Sequence, residues 1–242
     1  MSMHKYNIGC SGYYYPNWKN KFYPQGLQPR QWLEYYSSVF NAVELNGTFY
    51  RTPKLSDLKK YASVTKDDFT FSVKMSNYIT HIIKMKDAKS SINNFQDLII
   101  SGLDTKLACF LFQLPPSFHY TEENLMRVIE NVPHDPKNVI EFRHISWWNN
   151  EIEQILEKAN LTFCNIDYPG IKSYIINTSN IFYFRFHGNP ELFKSAYSVE
   201  ELACFQKRFP KEKRAYVYFN NTYYEAGYKN AKQMMELTKL IP

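Results

Sequence analysis

Three pairs of polar residues stand two positions apart at the ends of apolar runs: Glu44 with Asn46, Glu141 with Arg143, and Arg185 with His187. Lys74, Gln113, Asp167 and Asn220 close four further runs. Side chains of a strand alternate faces, so a spacing of two puts each pair on one side. Such a set offers proton transfer and anion recognition. Glu44 and Glu141 form an acid and base pair if their surroundings push their pKa values apart, as carboxylate chemistry on sugars or esters requires. His187, beside Gly188, is the proton-transfer candidate at neutral pH; its rival role is a fixed imidazole that shapes the site. Lys74 is either an imine-forming nucleophile, if desolvated, or the counter-ion of Glu44. Arg143, Arg185, Lys74, Gln113, Asn220 and Asn221 make a donor-rich group suited to phosphate or carboxylate. Asn46, Asp167 and His81, the last on a loop after Thr80, complete the expected binding set.

The plain alternative is a structural ion-pair network, because buried carboxylates need cations such as Lys74, Arg143 and Arg185 whatever the function. A divalent metal on Glu44, Glu141, Asp167 and His187 is disfavoured, since the arginines would repel it and no HExxH-type motif is present. No cofactor is expected. His144 should face away from Glu141 and Arg143, and His4, His119 and His134 read as surface or loop residues.

Positioning these residues requires a scaffold that gathers strand ends. Eight short apolar runs are spaced along the chain: Tyr6–Cys10, Ala42–Asn46, Thr70–Lys74, Ala108–Gln113, Val139–Arg143, Thr162–Ile166, Ile181–Phe186 and Ala215–Phe219. Helical periodicity marks Pro29–Phe40, Glu122–Asn131, Asn150–Asn160, Ser198–Arg208 and Asn230–Leu240. Alternating strands and helices specify a parallel α/β sheet, and eight strands close naturally into a single (β/α)8 barrel of the TIM type spanning residues 1–242. No linker or low-complexity tract divides the chain. In such a barrel the site lies at the C-terminal strand ends, where the polar closures fall.

Composition sets the outer limits. With 29 basic against 23 acidic residues, the net charge of +6 favours anionic partners without the concentrated stripe of a dedicated nucleic-acid binder. The densest basic run, Lys207 to Arg214, also holds Glu212 and Pro210 and reads as a solvated helix end. The 4 cysteines have no CxxC pair, and three sit in strand-like runs as small hydrophobes. Aromatics are abundant, with 20 Tyr, 18 Phe and 4 Trp, enough to fill the core and still line a cleft. Tyr13, Tyr14, Tyr15, Trp18, Phe49, Tyr50, Trp147 and Trp148 follow strands, where rings either stack on a sugar or nucleobase or form an apolar lid. No run approaches the roughly 20 apolar residues of a bilayer helix, and Asn7, Ser11 and Asn17 interrupt any leader-like block, so a cytoplasmic protein without membrane contact is expected.

Ordered motifs along the whole chain carry a resemblance. They are Ile8-Gly9-Cys10-Ser11-Gly12, Phe22-Tyr23-Pro24-Gln25-Gly26-Leu27, Val43-Glu44-Leu45-Asn46-Gly47-Thr48-Phe49-Tyr50-Arg51-Thr52-Pro53, Phe71-Ser72-Val73-Lys74 with Thr80-His81, Gln113-Leu114-Pro115-Pro116-Ser117-Phe118, Glu141-Phe142-Arg143-His144 with Trp147, Arg185-Phe186-His187-Gly188, and Phe219-Asn220-Asn221 with Asn230-Ala231. The chain resembles the DUF72, or YecE-like, family, and the resemblance implies a (β/α)8 barrel with a cleft shared across the family but no established reaction. Two positions depart from the family pattern: Tyr13 where Trp is common, and Thr222 where an acid commonly follows the paired Asn. Two functions are expected to compete. One is an enzyme that binds a small anionic or sugar-like substrate at the barrel mouth, with His187, Glu141 and Glu44 as its acid and base groups. The other is a nucleic-acid binding or processing protein using a basic, aromatic-lined cleft.

Overall fold

The computed structural model describes residues 5–171 and 174–239. Its eight parallel strands are β1 (Tyr6–Cys10), β2 (Ala42–Leu45), β3 (Thr70–Lys74), β4 (Leu107–Gln113), β5 (Asn138–Glu141), β6 (Thr162–Asp167), β7 (Ile181–Phe186) and β8 (Arg214–Phe219). The hydrogen-bonded order runs β1-β8-β7-β6-β5-β4-β3-β2, so consecutive strands are neighbours throughout. Among the described residues seven α-helices cover the outside: α1 (Trp32–Val39), α2 (Leu55–Val64), α3 (Lys89–Leu103), α4 (Glu122–Asn131), α5 (Asn150–Lys158), α6 (Val199–Lys207) and α7 (Ala226–Lys239). All eight expected strands are present. β2 and β5 stop earlier than their apolar runs suggest, at Leu45 and Glu141.

The remaining gap, between β1 and β2, is bridged by side chains instead of a ladder. Asn41 accepts from Ile8 N at 2.8 Å through Oδ1 and donates to Tyr6 O at 2.9 Å through Nδ2. The Tyr36 hydroxyl accepts from Cys10 N at 2.6 Å and donates to Ala42 O at 3.2 Å. Each side chain thus stands in for one rung. The two strands meet so closely at Gly9 that a Cβ there would lie 1.9 Å from Ala42 O, which is why no side chain fits.

α2 and α3 lie beyond the helices that periodicity marks, and the β6–β7 connection departs from the expected repeat. Among the described residues it holds no helix. Polar side chains clamp its returning chain to β6 instead: Asn165 donates to Ile176 O and accepts from Ile176 N, both at 2.9 Å, while Thr178 Oγ1 accepts from Phe163 N at 2.8 Å and donates to Leu161 O at 2.6 Å. The clamp supplies these backbone groups with the partners that burial demands.

Helix ends follow capping chemistry. Ser198 Oγ accepts from Glu201 N at 3.1 Å and Glu201 returns a carboxylate to Ser198 N at 2.7 Å, so α6 starts one residue later than its apolar pattern suggests. Thr121 and Asn149 cap α4 and α5 in the same manner. Aromatic rings fill much of the layer between barrel and helices, with Tyr23 stacked on Trp32 at 4.5 Å and Trp147 on Phe142 at 4.1 Å. Trp18, Trp147 and Trp148 are buried there, so none of the three stacks on a ligand; Tyr14 and Tyr50 are exposed. Cys10, Cys109 and Cys164 are buried in strands as expected, and Cys204 is exposed on α6. No described helix is long and apolar enough to cross a membrane.

Candidate active site

Arg185, on β7, is the centre of the barrel's C-terminal end and is 1% exposed. Its Nη2 donates to Glu44 Oε1 of β2 at 2.6 Å and its Nη1 to Glu141 Oε2 of β5 at 2.5 Å. Three strands distant in sequence therefore converge on one guanidinium. The Tyr183 hydroxyl donates to Glu44 Oε2 at 2.8 Å, Ser11 Oγ lies 3.3 Å from Arg185 Nη2, and Arg143 Nε donates to Glu141 Oε1 at 2.7 Å. Two carboxylates and two guanidiniums balance to zero. Burial alone would raise the Glu141 pKa, but the Arg185 and Arg143 guanidiniums and His187 override it and hold the carboxyl well below the usual range. Burial disfavours the Arg185 charge, and the Glu141 and Glu44 carboxylates outweigh burial and raise its pKa. This cluster is the floor of the site.

His187 lies beside the floor and is fully buried. Asn220 Nδ2, which can only donate, sits 3.0 Å from His187 Nδ1, so Nδ1 accepts and the ring proton is on Nε2. That nitrogen lies 3.3 Å from Glu141 Oε1, poorly aligned for a hydrogen bond. Burial, against the pull of Glu141 and helped by the two arginines, lowers the His187 pKa to about 3, so the ring is neutral at physiological pH. Gly188, with φ of +84°, lets the chain turn here; a Cβ would lie 2.9 Å from Glu191 O. Asp167 Oδ2 accepts from the Tyr197 hydroxyl at 2.6 Å, and that hydroxyl accepts from Gly188 N at 2.9 Å, which ties β6 to the turn after β7.

Above the floor is a half-buried rim made by Asn46, Lys74, His81, Arg143 and Asn220. Lys74 ends β3 with its Nζ 3.9 Å from the centroid of the Phe49 ring, and among the described residues it has no carboxylate partner. The expected counter-ion role to Glu44 is not what the geometry holds, because Arg185 and Tyr183 occupy both Glu44 oxygens. Burial first, then the Arg185 and Arg143 charges, lower the Lys74 pKa to about 7. His81 packs edge-on against the same Phe49 ring at 4.8 Å. Burial and the charges of Lys74 and Arg143 lower its pKa to about 4. Thr80 Oγ1 is 3.2 Å from Ser76 O, to which it donates, so it accepts from His81 Nδ1 at 2.9 Å. The Nε2 lone pair of His81 is left facing the Gln113 amide at a long 3.5 Å. Arg143 uses only Nε on Glu141, and within the described residues its two Nη groups have no hydrogen-bond partner. Asn46 donates to Ser11 O at 3.1 Å and its buried Oδ1 has no partner.

Other sequence candidates lie outside this group. Asn221 is buried and donates to Ser195 O at 2.9 Å and Asn230 Oδ1 at 3.0 Å, holding the β8–α7 turn. His144 turns away as expected and packs on His119 at 4.1 Å; His119 and His134 are exposed, and His4 lies outside the described residues. Among the described residues no three His, Cys, Asp or Glu side chains are grouped to hold a metal ion. Tyr183, Ser11 and Tyr197 belong to the site although their types alone did not mark them. Tyr183 precedes Arg185 by two on one strand, and that parity was the signal available for it. Ser11 and Tyr197 lie outside the strands, where no alternation applies.

Beside the rim lies a cleft of about 1080 Å³ between the segments that follow β1 and β2. It meets the floor at Ser11 and Asn46, and its walls carry Arg30, Arg51, Lys54 and Lys60 against the single acid Asp57.

Comparison with known proteins agrees with this architecture. The UPF0759 protein YunF of Bacillus subtilis is 28% identical over 254 aligned residues, covering 90% of each chain. The UPF0759 protein YecE of Escherichia coli K12 is 29% identical over 129 residues, covering 52% of this chain and 47% of that one. The crystal structure of a DUF72 family protein from Thermotoga maritima superposes with a TM-score of 0.84 at 31% identity, covering 98% of this chain and all of the other. The family described as "protein of unknown function DUF72" matches residues 7–241, and the chain belongs to it.

Proposed function

We propose that this barrel is an enzyme that binds a small anionic substrate at its C-terminal mouth and moves protons there through Lys74 and His81. One observation carries the reading: a half-buried lysine without a counter-carboxylate among the described residues stands beside an arginine with two unpartnered Nη groups, and the two carboxylates Glu44 and Glu141 are already offset by Arg185 and that same Arg143. A structural network would pair that lysine, since an unpaired buried cation is costly. An anion arriving at Arg143 and Lys74 completes both, with the bidentate geometry a guanidinium favours. Lys74 titrates near neutrality and His81 stays neutral with an open lone pair, the properties required of groups that exchange protons at physiological pH. In this reading Glu141, Glu44 and His187 hold the arginines in place, and Gln113, Asp167, Asn46 and Asn220 shape the mouth. Thermal shift with phosphate, small carboxylates, sugar phosphates and neutral sugars tests it. Anions should stabilise the wild type, and Arg143→Gln and Lys74→Met should each abolish the effect; equal stabilisation of the variants rejects the site.

A second reading, nucleic-acid binding, is favoured by the cleft, where four bases face one acid and the Tyr14 and Tyr50 rings are exposed. Fluorescence anisotropy with single- and double-stranded oligonucleotides at two salt concentrations decides it: binding that weakens steeply with salt and is lost in Arg51→Glu supports it, and absence of binding at low salt ends it.

A further inference from the structure

Lys74, His81 and Phe49 form a unit with its own chemistry. Lys74 Nζ lies over the Phe49 ring and the His81 imidazole packs nearly perpendicular to the same ring, so one aromatic side chain contacts both the amine and the imidazole. The amine has no carboxylate within ion-pair distance among the described residues, while two guanidiniums act on it electrostatically. In the tautomer in which the Thr80 hydroxyl donates to Ser76 O and accepts from His81 Nδ1, the Nε2 lone pair is free of strong hydrogen bonds. Both groups are half-buried and reachable from the mouth, unlike the sealed Glu44, Glu141 and Arg185.

We propose that Lys74 is a nucleophile that forms an imine with a small carbonyl compound bearing a carboxylate or phosphate, and that His81 relays the protons of that step. The inference rests on the anion-binding reading of the mouth and adds the substrate class. Burial and the Arg185 and Arg143 charges, against the opposing pull of Glu141 and Glu44, leave about half of the Lys74 amine unprotonated and nucleophilic at pH 7. Arg143 supplies the anion contact through its two Nη groups. In the first step the Nζ lone pair forms a bond to the carbonyl carbon and the carbonyl π pair moves to oxygen; His81 Nε2 takes the proton lost from nitrogen and passes it to that oxygen. The resulting carbinolamine then expels its hydroxyl: the nitrogen lone pair forms the C=N bond, and the hydroxyl leaves as water with one proton taken up from solvent through His81. Amine, carbonyl and proton become protonated imine and water, with no change of oxidation state. The cationic imine is an electron sink, which places the chemistry among carbon–carbon bond making or breaking, decarboxylation or proton abstraction next to a carbonyl.

Reductive trapping of the intact protein tests the proposal. Formaldehyde with cyanoborohydride at pH 7 should methylate Lys74 at least roughly ten-fold faster than Lys54 and Lys60, as read by peptide mass mapping. Pyruvate or dihydroxyacetone phosphate with borohydride should attach to Lys74, and His81→Gln should slow that attachment by about a hundred-fold. Methylation of Lys74 no faster than of Lys54 and Lys60 overturns the nucleophile, and an unchanged attachment rate in His81→Gln overturns the relay. Thermal shift with pyruvate, dihydroxyacetone phosphate and inorganic phosphate, without reductant, separates the two levels. Stabilisation without trapping rejects the imine and leaves the anion site; trapping by formaldehyde without any anion effect rejects the anion site and leaves a reactive amine.

Discussion

Replacing Lys74 by Met should make the protein more stable at neutral pH, and the gain should shrink as the pH rises. The ammonium's ordinary pKa of 10.5 falls to about 7 in the fold, through burial first and the Arg185 and Arg143 charges second. A cation with a depressed pKa holds its proton more weakly in the native chain than in the unfolded one. The unfolded state therefore binds more protons between about pH 7 and 10.5, and stability falls as the pH drops through that window. At about 1.4 kcal/mol per pH unit, the cost of keeping the lysine is roughly 4 kcal/mol at pH 7 and roughly 1.5 kcal/mol at pH 9.5. Met retains an apolar stem against Phe49 and forfeits the cation–π attraction, worth about 1 kcal/mol. The net gain is then about 3 kcal/mol at pH 7, or roughly 6–12 °C in Tm, and less than about 1 kcal/mol at pH 9.5. Urea denaturation of both proteins at the two pH values, followed by circular dichroism, measures it. A variant that is less stable at pH 7, or a difference that does not change with pH, would refute the reasoning by showing that the ammonium has a partner offsetting its desolvation.

Glu141→Gln leaves two guanidiniums without their shared carboxylate and should cost about 3–5 kcal/mol in denaturant unfolding; because Glu141 raises the Lys74 pKa, the pH midpoint of Lys74 labelling should also fall below 7. His187 makes the fold acid-sensitive: its folded pKa of about 3 lies below the ordinary 6.5, so stability declines as the pH falls between those values, by up to about 1.4 kcal/mol per pH unit, and His187→Gln should flatten that slope by one proton in pH-dependent denaturation. Gly9→Ala should destabilise by about 3 kcal/mol or more, since its Cβ meets the β2 backbone. Gly47→Ala, where a Cβ meets nothing within 4 Å, should change Tm by no more than about 2 °C.

The barrel was readable because each strand is buried on both faces and so appears as a short apolar run. α4 and α5 were equally plain, with capping residues directly before amphipathic stretches. α3 carries an apolar stripe at Ile92, Phe95, Ile99 and Leu103, but it opens on Ser90, Ser91, Asn93 and Asn94, residue types that compete with helix through local hydrogen bonds. α2 fully buries only Leu58, too little for a periodic signal. A helix between β6 and β7 would follow from the repeat alone, and no periodic stretch marks one there. The polar residues at Asn165 and Thr178 that replace it read as ordinary strand and loop residues until both sides of the clamp are seen.

Strand parity located the convergence of Glu44, Glu141, Arg185 and His187, because a two-residue period is a property of the backbone. It did not rank the residues by role, and the reason is desolvation. These four groups are fully buried, and there a charge persists only if neutralised on the spot; Arg185 pairs with both carboxylates, while His187 gives up its charge. Groups so deeply buried and ion-paired have little left for a substrate: of their polar atoms Arg185 Nε and His187 Nε2 lack a hydrogen-bond partner among the described residues. In the function proposed above, reactivity then belongs to the next layer out, where Lys74 and Arg143 feel the same field and have polar atoms unspent. Residue type and spacing are the same for both layers, and only depth separates them. The stability that Lys74→Met should recover is a direct measure of that separation: a lysine kept at a cost of several kcal/mol is retained for what it does to a ligand and not for what it does for the fold.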